Sequence, residues 1–159
     1  MRKCKLEIID FSFNQTWCGA NVLVLREANG KRRIPIIIGT TEAHAILMEL
    51  EKITPHRPLT HDLFKSFAGS FNIKVKEVII YNFSEGLFYA KLICSNRDKE
   101  KEIEARVSDS LVLATRFGCP IFTYEFILQK AGINSKYDKT TNRVFEVSKG
   151  KEEEIKATK

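Results

Sequence analysis

The sequence lacks most of the devices that fix a function class at sight. Its longest apolar stretches, such as residues 34–38, are far too short to cross a bilayer. The opening Met1-Arg2-Lys3-Cys4-Lys5 has no apolar run of signal-peptide length, so the expected location is the cytoplasm, away from any membrane. With 8 Gly and 4 Pro in 159 residues, the chain is neither collagen-like nor low-complexity, and its length suits one domain with a real core. The 4 cysteines (Cys4, Cys18, Cys94, Cys119) form no C-x-x-C pair and no zinc-like spacing. Cys4 and Cys94 lie in strand-like segments and are expected to be small buried hydrophobes in a reducing compartment. A Gly-rich phosphate loop, a G-x-S-x-G elbow and an H-E-x-x-H pair are all missing. Charge is in modest excess: Lys plus Arg 26 against Asp plus Glu 20 leaves +6, which suits a polyanion. It is dispersed over Arg2-Lys3-Lys5, Lys31-Arg32-Arg33, Lys74-Lys76 and the tail.

What is present is periodic. Residues 5–13 alternate as a strand, with Phe11 and Phe13 on one face, and residues 21–27 carry Val22-Leu23-Val24-Leu25. Asn29-Gly30 predicts a tight hairpin with positive φ at both central positions, and Pro35 puts the return strand, residues 32–38, at an edge or a bulge. Thr40-Thr41-Glu42 predicts a capped helix to about residue 53, with Ala43, Ile46, Leu47 and Leu50 on its apolar face. A short helix follows from Thr60-His61-Asp62 to Ala68-Gly69. Strands are expected over residues 73–83, 87–95 and 102–107. A helix then runs from Ser108-Asp109 to Phe117, and a last one is capped by Thr123 and closed by Ala131-Gly132. Thr60 to Gly69 lines up ungapped with Thr123 to Gly132, a match that shared helix grammar or duplication would both produce. The expected fold is α+β: a mostly antiparallel sheet with helices, as two similar βββαα halves in one domain over residues 1–135. Residues 136–159 are expected to be a polar charged tail or the start of a linker, in which Val144, Phe145 and Val147 could add a short strand.

Three clusters could carry chemistry, and each has a plain structural alternative. Arg57, Thr60, His61 and Asp62 put a cation, a proton carrier and a carboxylate at a helix start, which suits phosphate binding and proton transfer. Thr capping and Asp against the helix dipole explain the same residues. Arg106, Ser108, Asp109 and Ser110 gather where a strand feeds a helix, or else Arg106 simply pairs with Asp109. Glu42 and His44, two apart on a helix, do not face each other, and His44 is expected at the boundary of the apolar stripe. Phe11, Phe13 and Trp17 could stack bases, although a period of two more often marks a buried strand face.

Arg57-Pro58-x-Thr60-His61-Asp62 and Glu104-Ala105-Arg106-x-Ser108-Asp109 together resemble the bifunctional nuclease (BFN) domain family. Pro35-Ile36-x-Ile38-Gly39, Glu42-Ala43, Gly118-x-Pro120-Ile121 and Ala131-Gly132 follow in the same order, so the resemblance covers roughly residues 6–133. The family's usual Arg-Pro-Ser-Asp-Ala reads Arg106-Val107-Ser108-Asp109-Ser110 here. The resemblance implies a hydrolase with DNase and RNase activity, acting on nucleic acid as a homodimer. Phosphodiester hydrolysis would then use His61, Asp62, Ser108 and Asp109 as catalytic groups, with Arg57, Thr60 and Arg106 on the substrate. Asp62, Asp109 and Glu42 would hold Mg²⁺ or Mn²⁺. The alternative is a non-catalytic module that binds nucleic acid, an anionic ligand or a protein, with the clusters serving only as caps.

Overall fold

A computed structural model describes residues 1–12, 21–97 and 99–134. Phe13, Trp17, Cys18 and the tail with Val144, Phe145 and Val147 fall outside the described residues. The first part comprises β1 (Lys3–Ser12), β2 (Asn21–Glu27), β3 (Arg32–Ile38), α1 (Thr40–Leu50) and α2 (Thr60–Ser70). The second comprises β4 (Ile73–Ser84), β5 (Leu87–Asn96), β6 (Lys99–Arg106), α3 (Val107–Phe117), β7 (Ile121–Tyr124), α4 (Glu125–Ala131) and β8 (Ile133–Asn134).

Among the described residues, the strands join one 8-stranded sheet in the order β6-β5-β4-β7-β1-β2-β3-β8. Every neighbouring pair is antiparallel except β4 with β7. The α+β class with a mostly antiparallel sheet is therefore as the sequence predicts. Two consecutive meanders, β1-β2-β3 and β4-β5-β6, are joined through β7. That short strand pairs Leu6 with Ile121 on one side and Val78 with Ile121 on the other. Thr123 does not cap a helix. It lies in β7, fully buried, and its Oγ1 donates to the Ile80 carbonyl at 3.0 Å. The last helix starts at Glu125 instead. The ungapped match of Thr60 with Thr123 thus pairs a helix residue with a strand residue, and β7 separates the two helices of the second round.

The hairpins also differ from expectation. Neither Asn29 nor Gly30 has positive φ, because β2 and β3 are joined by four residues rather than two. A Cβ at Gly30 would meet the Glu27 carboxylate, which Arg32 holds in place. The positive-φ pair of a two-residue hairpin occurs at Glu85 and Gly86, with φ of 52 and 78, between β4 and β5. Helix α1 stops at Leu50, just before Lys52 turns to φ 57, and Leu50 is exposed rather than on the buried face. Pro35 does lie at an edge, since β8 covers only Arg32 and Arg33 of β3.

The core is one contiguous cluster. Leu23, Leu25, Ile34, Ile36, Val78, Ile80 and Leu92 from the sheet pack with Ile46, Leu111, Ile127 and Leu128 from the helices. Helix α3 is the most enclosed, with seven of its residues buried, and it ends in Gly118 at φ 63, a left-handed cap. Cys4 and Cys94 are buried as expected. Among the described residues, no helix is long and apolar enough to cross a membrane.

A charged knot ties the β2–β3 end of the sheet to α4. Arg32 donates to both Glu27 oxygens at 2.9 Å, and to Glu125 at 2.6 and 3.1 Å. The Cys4 thiol donates to Glu125 at 3.4 Å. One ligand atom from each of Cys4, Glu27 and Glu125 lies within 4.8 Å of the others, but the guanidinium of Arg32 already compensates the carboxylates. Bonds from Arg32 and then Cys4 hold the Glu125 carboxyl down at about 2. A folded value below the unfolded one means that this stabilisation is complete above about pH 4.5 and is lost as the pH falls toward 2. The melting temperature of Glu125→Gln should therefore fall less steeply than wild type between pH 4.5 and 2 in circular dichroism melts. Parallel acid limbs would count against the knot.

Candidate functional site

Three helices bring their first turns to one corner. Glu42 is in the first turn of α1, His61 is the second residue of α2, and Asp109 is in the first turn of α3. Each helix start carries unpaired backbone N–H groups and a positive dipole end, so their convergence favours negative charge.

The side chains interlock. Arg106, which precedes α3, donates from Nε to Asp109 at 2.7 Å and from Nη2 to Asp109 and Glu42, each at 3.2 Å. His61 Nε2 lies 3.4 Å from Asp109 Oδ1. Burial pushes the Asp109 carboxyl up, but hydrogen bonds from Arg106 and His61 and their positive charge outweigh it, and the group stays below the usual carboxylate range. Arg106 is raised in turn, chiefly by its bond to Asp109. His61 and Glu42 are 12% and 15% exposed, whereas the Arg106 side chain is 73% exposed. The corner is a mostly enclosed acid–imidazole pair with an accessible guanidinium over it.

Asp62 belongs to a second, adjoining network. Its Oδ2 accepts the Leu59 N–H at 2.9 Å, which closes the start of α2, and its Oδ1 lies 2.9 Å from Arg116 Nε. Leu59, not Thr60, is the cap position. Arg116 also donates to Glu49 of α1, and its side chain is only 4% exposed. Arg116 escaped the sequence reading; the signal was a cation amid the apolar positions Leu113, Ala114 and Phe117 of a helix.

The other expected residues are placed less tightly. Thr60 is exposed at the start of α2, and Arg57 is exposed in the preceding loop; neither has a side-chain hydrogen bond or ion pair among the described residues. Ser108 is half-buried and, with Arg106, lines one end of a groove of about 760 Å³. Ser110 is fully buried on the core side of α3 and takes no part in the site. His44 is exposed, and Phe11 packs against the core. Several basic groups are already matched by acids, as in Lys3 with Glu77, Lys76 with Glu100 and Arg32 with Glu125.

With this geometry in hand, residues 23–136 match the family model described as the bifunctional nuclease domain. The chain belongs to that family. Two proteins of Mycobacterium tuberculosis, one from strain CDC 1551 / Oshkosh and one from strain ATCC 25618 / H37Rv, are each 46% identical to it over 112 residues. The match covers 70% of this chain and 66% of each relative, and both relatives are named as uncharacterized proteins. The matched family segment contains the whole three-helix corner and the groove beside it.

The Asp62 network makes a stability prediction. Asp62→Ala removes the Leu59 acceptor and half the compensation of a buried arginine, and should cost about 1–3 kcal/mol in urea unfolding. Asp62→Asn keeps an oxygen for the Leu59 N–H and should cost less. Equal stability of Asp62→Ala and wild type would remove Asp62 from this role.

Proposed function

We propose that this BFN-family chain hydrolyses phosphodiester bonds of DNA and RNA at the corner formed by Glu42, His61, Arg106 and Asp109. The observation that carries the proposal is the contact of His61 with Asp109 beneath an exposed arginine, where three helix starts meet. A base needs an orienting partner and a site for the phosphate within reach, and this corner supplies both. Asp109, held ionised, fixes the His61 ring through Nε2 and leaves Nδ1 to take the proton of a water or a 2′-hydroxyl. Arg106 receives the phosphate, and the Ser108 hydroxyl with the N–H groups of the first turn of α3 donates to its oxygens. Arg57 and Thr60, exposed beside the start of α2, take the neighbouring strand.

The donor set suits a hard divalent ion in kind, since every candidate ligand is a carboxylate oxygen. Among the described residues, Glu42, Asp62 and Asp109 do not bring three ligand atoms within 4.8 Å of one another. Glu42 and Asp109, which share the Nη2 of Arg106, would hold Mg²⁺ or Mn²⁺ only with Arg106 drawn off them onto the phosphate, while Asp62 stays with Arg116. When bound, the ion would supply charge stabilisation at the phosphate. The test is cleavage of labelled single-stranded RNA and duplex DNA with Mg²⁺, Mn²⁺ or chelator. His61→Gln and Asp109→Asn should each lower the rate by roughly 10²- to 10⁴-fold with the fold intact. Undiminished cleavage in both variants would overturn the site. The turning of Asp62 onto the Leu59 N–H favours the binding-module reading, and no cleavage by wild type with any metal would decide for it.

Self-pairing, which the family resemblance implies, we place on the outer face of α2. Leu63 and Phe67 of α2 and Phe71 just after it recur every four residues, each more than half exposed. Phe67→Lys should convert a dimer to a monomer in light scattering, with cleavage chemistry unchanged per active chain. A wild-type monomer at working concentration would remove the proposal.

A further inference from the structure

We infer that the groove beside Arg106 is a base-binding cleft for single-stranded nucleic acid. The inference rests on the reading above for the kind of polymer, not for its cleavage. The groove runs between the two ends of the sheet: Pro35, Ile36 and Ile37 of β3 form one wall and Leu87, Phe88 and Tyr89 of β5 the other, with Glu104 of β6, whose carboxylate accepts from the Tyr81 hydroxyl, also in the lining. Its volume of about 760 Å³ falls within the range of small-ligand sites. Two large apolar side chains stand open to solvent there, Ile37 at 69% and Leu87 at 63% exposure.

The chemistry of the walls selects the ligand. A duplex stacks its bases on one another and presents only their edges in its grooves, so apolar and aromatic walls gain nothing from it. An unpaired strand offers a π-face from every base, which Tyr89 suits in kind, whereas the Phe88 ring is packed on Phe83 and the core. The register then places the phosphate. Tyr89 is the direct cross-strand partner of Arg106, and side chains so paired have Cβ atoms about 5 Å apart. One nucleotide can therefore rest its base at Tyr89 and its phosphate at Arg106, the residue shared with the Asp109 and Glu42 cluster. A peptide added along the free edge of β3 is the weaker occupant, because Pro35 withdraws a donor and β8 already covers Arg32 and Arg33.

The experiment is fluorescence anisotropy of a labelled oligothymidylate of about 12 nucleotides, against a duplex of the same length, using the full chain in chelator so that binding is read without cutting. Wild type should bind the single strand more tightly than the duplex. Tyr89→Ala should weaken single-strand binding by roughly 5- to 150-fold. Ile37→Glu and Leu87→Glu, at exposed positions that tolerate substitution, should weaken it comparably while melting temperature and duplex affinity hold. Equal affinity for the two forms, or unchanged single-strand affinity in both glutamate variants, would overturn the inference. A chain that binds in this pattern yet never cuts supports the cleft and sinks the nuclease reading. A chain that cuts normally with unaltered binding in Leu87→Glu overturns the cleft alone.

Discussion

The enclosure of α3 is the constraint on which the rest of this structure depends. The helix lies against β3, β4, β5 and β6 and against both α1 and α2. An element so surrounded cannot move without disturbing the whole core. Its two ends are charged, and each end binds the same two neighbours. At the start, Arg106 and Asp109 reach Glu42 of α1 and His61 of α2; at the end, Arg116 reaches Glu49 of α1 and Asp62 of α2. The position of the candidate site is thus set by packing first and by ion pairing second.

The two arginines divide the work by depth. Arg116 is enclosed, and a guanidinium removed from water must keep its carboxylates or the helix loses its seat. Arg106 stands in solvent, where a surface ion pair is worth little and is screened by salt. A phosphate can take the place of a carboxylate at Arg106 at small cost, while the same exchange at Arg116 would require unfolding the corner. This contrast separates Asp109 from Asp62, two carboxylates that look equivalent as first-turn acids in the sequence.

The elements with strong periodicity were legible. The strands, the α+β class, the edge position of Pro35 and the helix starts near Thr40, Thr60 and Ser108 all follow from local pattern and turn residues. Family membership was legible as well, because spaced Arg, His, Ser and Asp positions survive as letters even where their contacts do not show. The errors came where tertiary demand overrode local preference. Thr123 has the chemistry of a cap, yet the sheet takes it because β1 and β4 each need a partner strand there. Asn29-Gly30 has the letters of a tight turn, yet the loop is longer and the glycine serves Glu27. That His61 would meet Asp109, and that Asp62 would face away toward Arg116, depended on the packing of three helices, which no spacing along the chain encodes.

The pairing of β1 with β7 sets an order in time. As the chain is made, β1, β2 and β3 emerge first and can fold into a meander, but one edge of β1 has no strand beside it until Ile121 arrives to meet Leu6. The second meander forms largely from local hairpins, the kind of contact that closes fast. The nascent N-terminal half therefore presents an open strand edge throughout the synthesis of the other half. Docking of β7 closes that edge and joins the sheet in one late step. A chain stopped before residue 121 would retain two meanders bridged by α3, with no strand to join them into one sheet.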